Sequence, residues 1–284
     1  MGELLRHKVR FGELSYGPLL HNATFFDLLI EATEELSYEL GYTVEEIVEA
    51  GGVPYAPVAI HADVSRYPRY EDTIVVDVEP VSIGENHVQF AYRFERASDG
   101  AEFGHATMVQ VTITPDGAAE PITPALRDEL ESLGSADRRP VEIDPRPVEG
   151  DGPQFARDVT FRTPLLEAAN LGYFEDYARE LSITLETFLE DRGRSLRSLT
   201  DGAYPFVPVG WDMTLENSIR FEDEIAIVGR VLDADEDAID VAYELRREST
   251  DDVCIRADLS YGCFDGDGER VPFPAEAVEL VGSG

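Results

Sequence analysis

Lysine is almost absent from this chain: of 284 residues only Lys8 carries an ammonium, and lysine and arginine together number 23 against 58 aspartates and glutamates. The formal net charge is −35. Such a surface repels polyanions and anionic lipid headgroups, which argues against nucleic acid or a membrane as partner. Cysteine is nearly missing too. Cys254 and Cys263 are the whole complement, too few to furnish a zinc site by spacing, and both lie on strand-like sequence where burial as reduced thiols is expected rather than a disulfide. No apolar run reaches the ~18–20 residues of a bilayer span, and Met1 to Phe11 lacks the apolar stretch of a secretory signal, so a cytoplasmic protein is expected. No histidine pair stands at a metal-ligand spacing, and His61, His87 and His105 fall on strand-like sequence as packing or surface residues. Neither a metal nor a redox cofactor is expected.

What the chain does have is a core. Its hydrophobic content of 43%, with 10% aromatics, separates it from acidic disordered segments. A folded protein this acidic and this poor in lysine resembles those of salt-loving archaea, where screening removes self-repulsion and hydrated carboxylates keep the surface soluble.

The chain also contains itself twice. A shift of 151 positions lays Pro57–Gly117 over Pro208–Gly268 without a gap, with Pro57-Val58 on Pro208-Val209, Arg69, Glu71, Asp72 and Ile74 on Arg220, Glu222, Asp223 and Ile225, and Ala91, Tyr92 and Arg96 on Ala242, Tyr243 and Arg247. A unit of that size is too long for a solenoid repeat, whose period is about 20–50 residues, and predicts two similar domains in tandem. The expected division is 1–133, a linker at 134–157 rich in proline, glycine and charge, and 158–284. An active site is then expected between the halves.

Within the first unit, Val9 to Phe11 reads as a short strand and Gly12 to His21 as a loop. From Ala23 the residues Phe25, Leu28, Leu29, Ala32, Leu36 and Leu40 recur at three and four, one apolar helical face, with Gly41 as the stop. Alternating or β-branched runs follow at Val58–Val64, Thr73–Val81, His87–Arg96 and His105–Thr114, and Pro121–Leu133 reads as a short polar helix. The second unit repeats this order: strand Val159–Arg162, a helix over about Tyr173–Gly193, then strands around Pro208, Glu224–Leu232, Ala238–Arg247 and Ile255–Phe264.

The fold class implied is α+β: a central helix wrapped by one antiparallel sheet, twice over. Val9-Arg10-Phe11-Gly12-Glu13 through His21-Asn22-Ala23-Thr24-Phe25-Phe26, the strand-turn Tyr67-Pro68-Arg69-Tyr70-Glu71-Asp72 and the closing Pro115-Asp116-Gly117 resemble the 4-hydroxybenzoyl-CoA thioesterase type of acyl-CoA thioesterase, a hotdog superfamily. The resemblance covers both halves in outline and the first more sharply. It implies two tandem hotdog domains that pair as an intramolecular pseudo-dimer, with further homo-oligomerisation through sheet edges left open, and hydrolysis of an acyl-CoA or acyl-carrier thioester without any cofactor beyond the CoA of the substrate.

Thioester hydrolysis needs a carboxylate to attack or to activate water, and donors for the developing oxyanion; the start of a buried helix supplies such donors. The family's acid lies on the loop before the central helix. There the chain departs from the pattern: Ser15 stands where the catalytic Asp is expected, and Glu13 two residues earlier. Glu13 is a candidate acid or an ordinary solvated side chain. Ser15 is a candidate nucleophile with His21 as the local base, or a backbone-bonding loop serine. A shift of 148 sets Asn22 on Asn170, each read either as a helix cap or as a carbonyl-binding amide. Glu167 is the only acid between the second strand and Asn170, flanked by apolar residues that would raise its pKa if buried; a helix-charge role is the alternative. Arg66, Arg69 and Arg220 are candidates for the CoA phosphates, although Arg69 and Arg220 serve equally as ion-pair partners of Glu71 and Glu222. Besides a hydrolase, the pattern admits a non-catalytic acyl-thioester or acyl-carrier binding protein that kept the pocket and lost the acid. The Asp and His in one loop of hotdog hydratases are not found.

Overall fold

The computed structural model of the chain describes all residues except 1–3, 16, 42–43, 50–51, 115–117, 135–138, 167–169 and 283–284. Its elements run in chain order β1 (Leu5–Lys8), α1 (Ala23–Glu39), α2 (Val44–Glu49), β2 (Val53–Val64), β3 (Thr73–Ile83), β4 (Val88–Arg96), β5 (Glu102–Ile113), α3 (Pro124–Leu133), β6 (Gln154–Thr160), α4 (Phe174–Asp191), α5 (Leu196–Leu199), β7 (Ala203–Leu215), β8 (Glu224–Ala234), β9 (Ile239–Arg247), β10 (Val253–Asp265), β11 (Arg270–Val271) and α6 (Ala275–Gly282). The first strand lies earlier than the sequence suggests, at Leu5–Lys8, and β6 begins at Gln154, inside the stretch read as linker. The hairpin expected at Pro115-Asp116-Gly117 lies outside the described residues.

All strands join in one antiparallel sheet ordered β1-β3-β4-β5-β2-β7-β10-β9-β8-β6, with β11 on β10. The halves meet where β2 pairs with β7. There His61 faces Asp212 in register, and the 151-residue shift also sends His61 to Asp212. A position that pairs with its own twin marks the pseudo-two-fold axis relating the halves.

Helices α1 and α4 lie side by side on one face of this sheet. Their apolar residues fall at three and four, Phe25, Phe26, Leu28, Leu29, Ala32 and Leu36 on α1 and Phe174, Tyr177, Ala178, Leu181, Leu185 and Leu189 on α4, and all are buried. This spacing keeps them on the side facing the sheet and each other. Gly41, at φ +73°, takes the left-handed turn that ends α1. Across the seam Phe26 stands edge-on to Phe174 (5.1 Å) and perpendicular to Trp211 of β7 (5.7 Å), the indole being 2% exposed. Burial of each such ring contributes about 1.5–3 kcal/mol, and edge-to-face packing adds up to ~1.5 kcal/mol. The halves therefore share one core.

The segment before β6 is more than a tether. Gln89 of β4 exchanges two hydrogen bonds with the backbone of Val141, Arg146 donates through Nε to Asp258 of β10 (2.6 Å), and Arg230 of β8 donates to the carbonyls of Pro147, Val148 and Asp151. These anchors hold it across the sheet face opposite the helices. Its prolines fix an extended path, so side chains of the sheet satisfy carbonyls that no ladder can.

A second clamp joins the halves at the β10–β11 turn. The Tyr67 amide donates to the Gly268 carbonyl (3.1 Å), Arg66 pairs with Glu269 and Arg69 with Asp267 (2.5 Å), and the buried Tyr67 hydroxyl donates to the Pro208 carbonyl. Gly268 is required there: at φ +77°, any Cβ would stand 2.3 Å from the Tyr67 carbonyl oxygen.

Candidate functional site

At the amino end of α1 a cleft of about 260 Å³ opens between the halves, lined by His7, Gly12, Glu13, Leu14, His21, Thr24, Asp27, Leu28, Glu31 and Arg179. Each part has a local cause. Thr24, Asp27, Leu28 and Glu31 recur at three and four, one stripe of α1. A short 3₁₀ turn at Phe11–Glu13 brings Glu13 under His7 of β1. Arg179 arrives from α4, where it also pairs with Glu175 (2.5 Å) and Asp176 (2.7 Å). Gly17, in the loop between, has φ +120°, and a Cβ would collide with the ring of Tyr204 from the second half. The loop is thus packed against by the other half.

Two groups in the cleft have defined hydrogen-bond partners. Glu13 Oε2 accepts from His7 Nε2 (3.0 Å) and from the Arg10 amide (2.7 Å). His21 Nδ1 accepts from the Ala23 amide (3.2 Å), so in the neutral ring the proton sits on Nε2. Burial, assisted by the Arg179 guanidinium, lowers the His21 pKa below its ordinary 6.5 and favours that neutral ring. The cleft therefore holds two imidazoles, His21 at the helix start and His7 on Glu13, together with that glutamate, two further carboxylates and one guanidinium.

No protein-family model matches the sequence, and no curated protein matches it in sequence. Solved structures do match in three dimensions: a protein named as an oleoyl thioesterase from Lactobacillus plantarum (17% identity, 90% of this chain and 94% of that one, TM-score 0.74), the 12:0-ACP thioesterase from Umbellularia californica (14%, 90% and 93%, 0.72) and an acyl-ACP thioesterase from Bacteroides thetaiotaomicron (10%, 90% and 96%, 0.70). The fold is a tandem hotdog. At these identities the likeness concerns architecture, and the antiparallel sheet with its two central helices fits the α+β class expected from the sequence.

The structure realigns the two helix starts. Bridges Leu14–Leu20 and Leu19–Arg69 in the first half recur as Leu166–Gly172 and Leu171–Arg220 in the second, and the bond from the His21 amide to the Glu13 carbonyl recurs from Tyr173 to Leu165. These loop twins stand 152 apart, not 148. The twin of Asn22 is Phe174, and Asn170 is instead an exposed turn residue at φ +61°, a conformation asparagine tolerates. The cause of the error is helical: a slip of four residues is about one turn and leaves an apolar face nearly unchanged.

Asn22 is not a cap either. Its backbone is helical (φ −56°, ψ −36°) where a cap needs extended geometry, and its side chain makes no capping bond; His21 bonds the Ala23 amide instead. Asn22 is 5% exposed, and its Nδ2 has no hydrogen-bond partner among the described residues. Ser15 forms no hydrogen bond to His21 among them and does not line the cleft. Glu167 lies outside the described residues, but counting one residue on from the twin bridges makes it the counterpart of Ser15.

The arginines are arranged otherwise than their neighbours in sequence suggest. Arg66 and Arg69 pair with Glu269 and Asp267 across the seam, Glu71 pairs with Lys8 (3.4 Å), and Glu222 with Arg162 (3.8 Å). Arg220 has no ion pair among the described residues. Sequence reasoning missed Asp27, Glu31 and Arg179; the i, i+4 spacing of Asp27 and Glu31 was readable, whereas the reach of Arg179 depends on how the helices pair. Among the described residues, no helix is long and apolar enough to cross a membrane.

Proposed function

We propose that the protein hydrolyses an acyl thioester, of CoA or of an acyl carrier, in the cleft at the start of α1. The carrying observation is the gathering of Glu13 and neutral His21 with Arg179 of the opposite half, in a fold whose structural neighbours bear thioesterase names. In this reading the His21 Nε2 proton donates to the thioester oxygen as it becomes negative and a carboxylate directs water at the carbon; the Asn22 amide, buried and outside the cleft lining, adds a second donor only by turning into the cleft. A neutral imidazole suits the donor role because it needs no compensating anion. Glu13 or Glu167 supplies the carboxylate, and Arg66, Arg69 and Arg220 are candidates for the CoA phosphates, the first two after exchanging their present carboxylate partners.

One observation favours the second reading, a thioester-binding protein without turnover. The Glu13 carboxylate is already engaged by His7 and by the Arg10 amide, contacts it would have to share with a water or substrate. Thiol release from short, long and aryl acyl-CoA and acyl-carrier substrates in concentrated KCl tests both. Loss of release in Glu13→Gln or Glu167→Gln supports hydrolysis and names the acid; tight binding of substrate with no release by the native chain supports the binding protein.

A further inference from the structure

On the sheet face opposite α1 and α4, strand β2 presents His61 and Asp63, alternate residues and hence on one side. His105 of β5 lies directly across from Asp63 in the ladder. The two imidazoles converge: His61 Nε2 stands 3.1 Å and His105 Nε2 3.4 Å from the same atom, Asp63 Oδ2, and the three ligand atoms lie within 4.8 Å of one another. The edge of a tetrahedron around zinc, with ligand bonds of about 2.0–2.1 Å, is about 3.3 Å. Two of the three separations already match it, and His105, half exposed, can close the third by turning its ring.

Behind each imidazole stands another carboxylate. Asp212 Oδ1 is 2.8 Å from His61 Nδ1, and Glu102 Oε1 is 3.8 Å from His105 Nδ1. The Asp212 carboxylate accepts from His61 Nδ1 and fixes the proton there, so a metal that displaces the proton Nε2 now donates to Asp63 meets the Nε2 lone pair; Glu102, beyond hydrogen-bond reach of His105 Nδ1, favours the same ring orientation by charge alone. We infer that His61, His105 and Asp63 bind a divalent transition-metal cation of the zinc class, with at least one coordination position open to water. Two nitrogens and one oxygen favour such an ion over magnesium, calcium or potassium, which prefer oxygen alone. All three ligands come from the first half, but the orienting Asp212 comes from the second, at the pseudo-two-fold axis. Metal binding and docking of the halves are therefore coupled, and the site serves to fasten the seam.

The test uses the full chain, stripped with chelator and held in molar KCl to suppress weak binding by surface carboxylates. Titration with Co²⁺, followed by its visible ligand-field bands, and with Zn²⁺, by calorimetry, should give one site per chain and raise the unfolding temperature. Asp212→Asn should weaken binding about 10–100-fold. His105→Gln, a half-exposed change that leaves the core untouched, should weaken it further and remove the bands, and His61→Gln likewise. Equal Co²⁺ affinity in native chain and His105→Gln, or the absence of a one-to-one site in the native chain, overturns the inference.

Discussion

Asn22 separates a structural residue from a functional one by the sign of a stability change. A capping asparagine replaced by alanine costs about 0.5–2 kcal/mol. Here no capping bond exists to lose, and the buried Nδ2 is an orphan donor among the described residues; leaving such a donor unsatisfied costs about 1–3 kcal/mol in the native protein. Asn22→Ala removes that penalty and leaves only a small void. Unfolding entropy of about 2.1 cal/mol/K per residue gives this chain about 0.6 kcal/mol/K, so 1 kcal/mol moves the melting point by roughly 2 °C. The expected result is no loss, or a rise of up to about 5 °C, in calorimetric scans at high KCl. If the amide is kept to bond a thioester oxygen, thiol release should fall about 10²–10³-fold in the same variant, the cost of one oxyanion donor. Stability retained while turnover is lost marks a group buried for chemistry. A melting point lowered by 2 °C or more, with turnover unchanged, refutes this reasoning.

Salt should govern stability. With a net charge of −35, self-repulsion acts over a Debye length of about 10 Å at 0.1 M and about 3 Å at 1 M, so the unfolding temperature should climb steeply with KCl; full stability in dilute buffer would remove the salt-adapted reading. His21 should make the fold acid-sensitive. Its folded pKa lies below 6.5, so above pH 6.5 both folded and unfolded rings are neutral, and as the pH falls the unfolded chain takes the proton first and stability is lost, by less than 1.4 kcal/mol for each unit of pKa lowering reached. Denaturant unfolding of native chain and His21→Gln from pH 8 to pH 5 should show the two curves converging or crossing towards acid. A constant difference between them contradicts a buried neutral His21.

The duplication was legible from residues repeated 151 positions apart, and both central helices and the large strands from local periodicity: three and four along α1 and α4, two along the sheet. What escaped was non-local. His61 and Asp63 are visible as an alternate pair, but His105 joins them only once β2 and β5 are in register, so spacing along the chain gave no metal-like pattern. The anchors of the 141–151 segment escaped because proline and charge read as linker composition, while the arginine and glutamine that hold it sit on strands far away. Arg179 faces the cleft only because α4 lies beside α1. The false pairing of Asn22 with Asn170 came from matching residue type across a helical turn.

The corrected pairing of the halves bears on how many sites the chain can have. Moving 152 positions from the first cleft replaces Glu13 with Leu165, His21 with Tyr173, Thr24 with Asp176, Asp27 with Arg179 and Glu31 with Ile183. The pseudo-symmetric twin thus has no imidazole at its helix start and its acid, Glu167, falls at the Ser15 position instead of the Glu13 position, while its buried Asp176 is already committed to Arg179. Asp27 and Arg179 are themselves twins of opposite charge, so the two central helices, equivalent in backbone, give one another unlike surfaces. A homodimer of hotdog units must build every site in identical copies. Fusion released that constraint, and the chain used it to place an imidazole at the start of α1 and, at the start of α4, the aromatic Tyr173 with two acids, Glu175 and Asp176, both paired with Arg179. One constellation with an imidazole at the helix start follows per chain, and if that imidazole is what binds the thioester, one thioester or analogue is bound per 284 residues, two per chain being the observation that would break the argument.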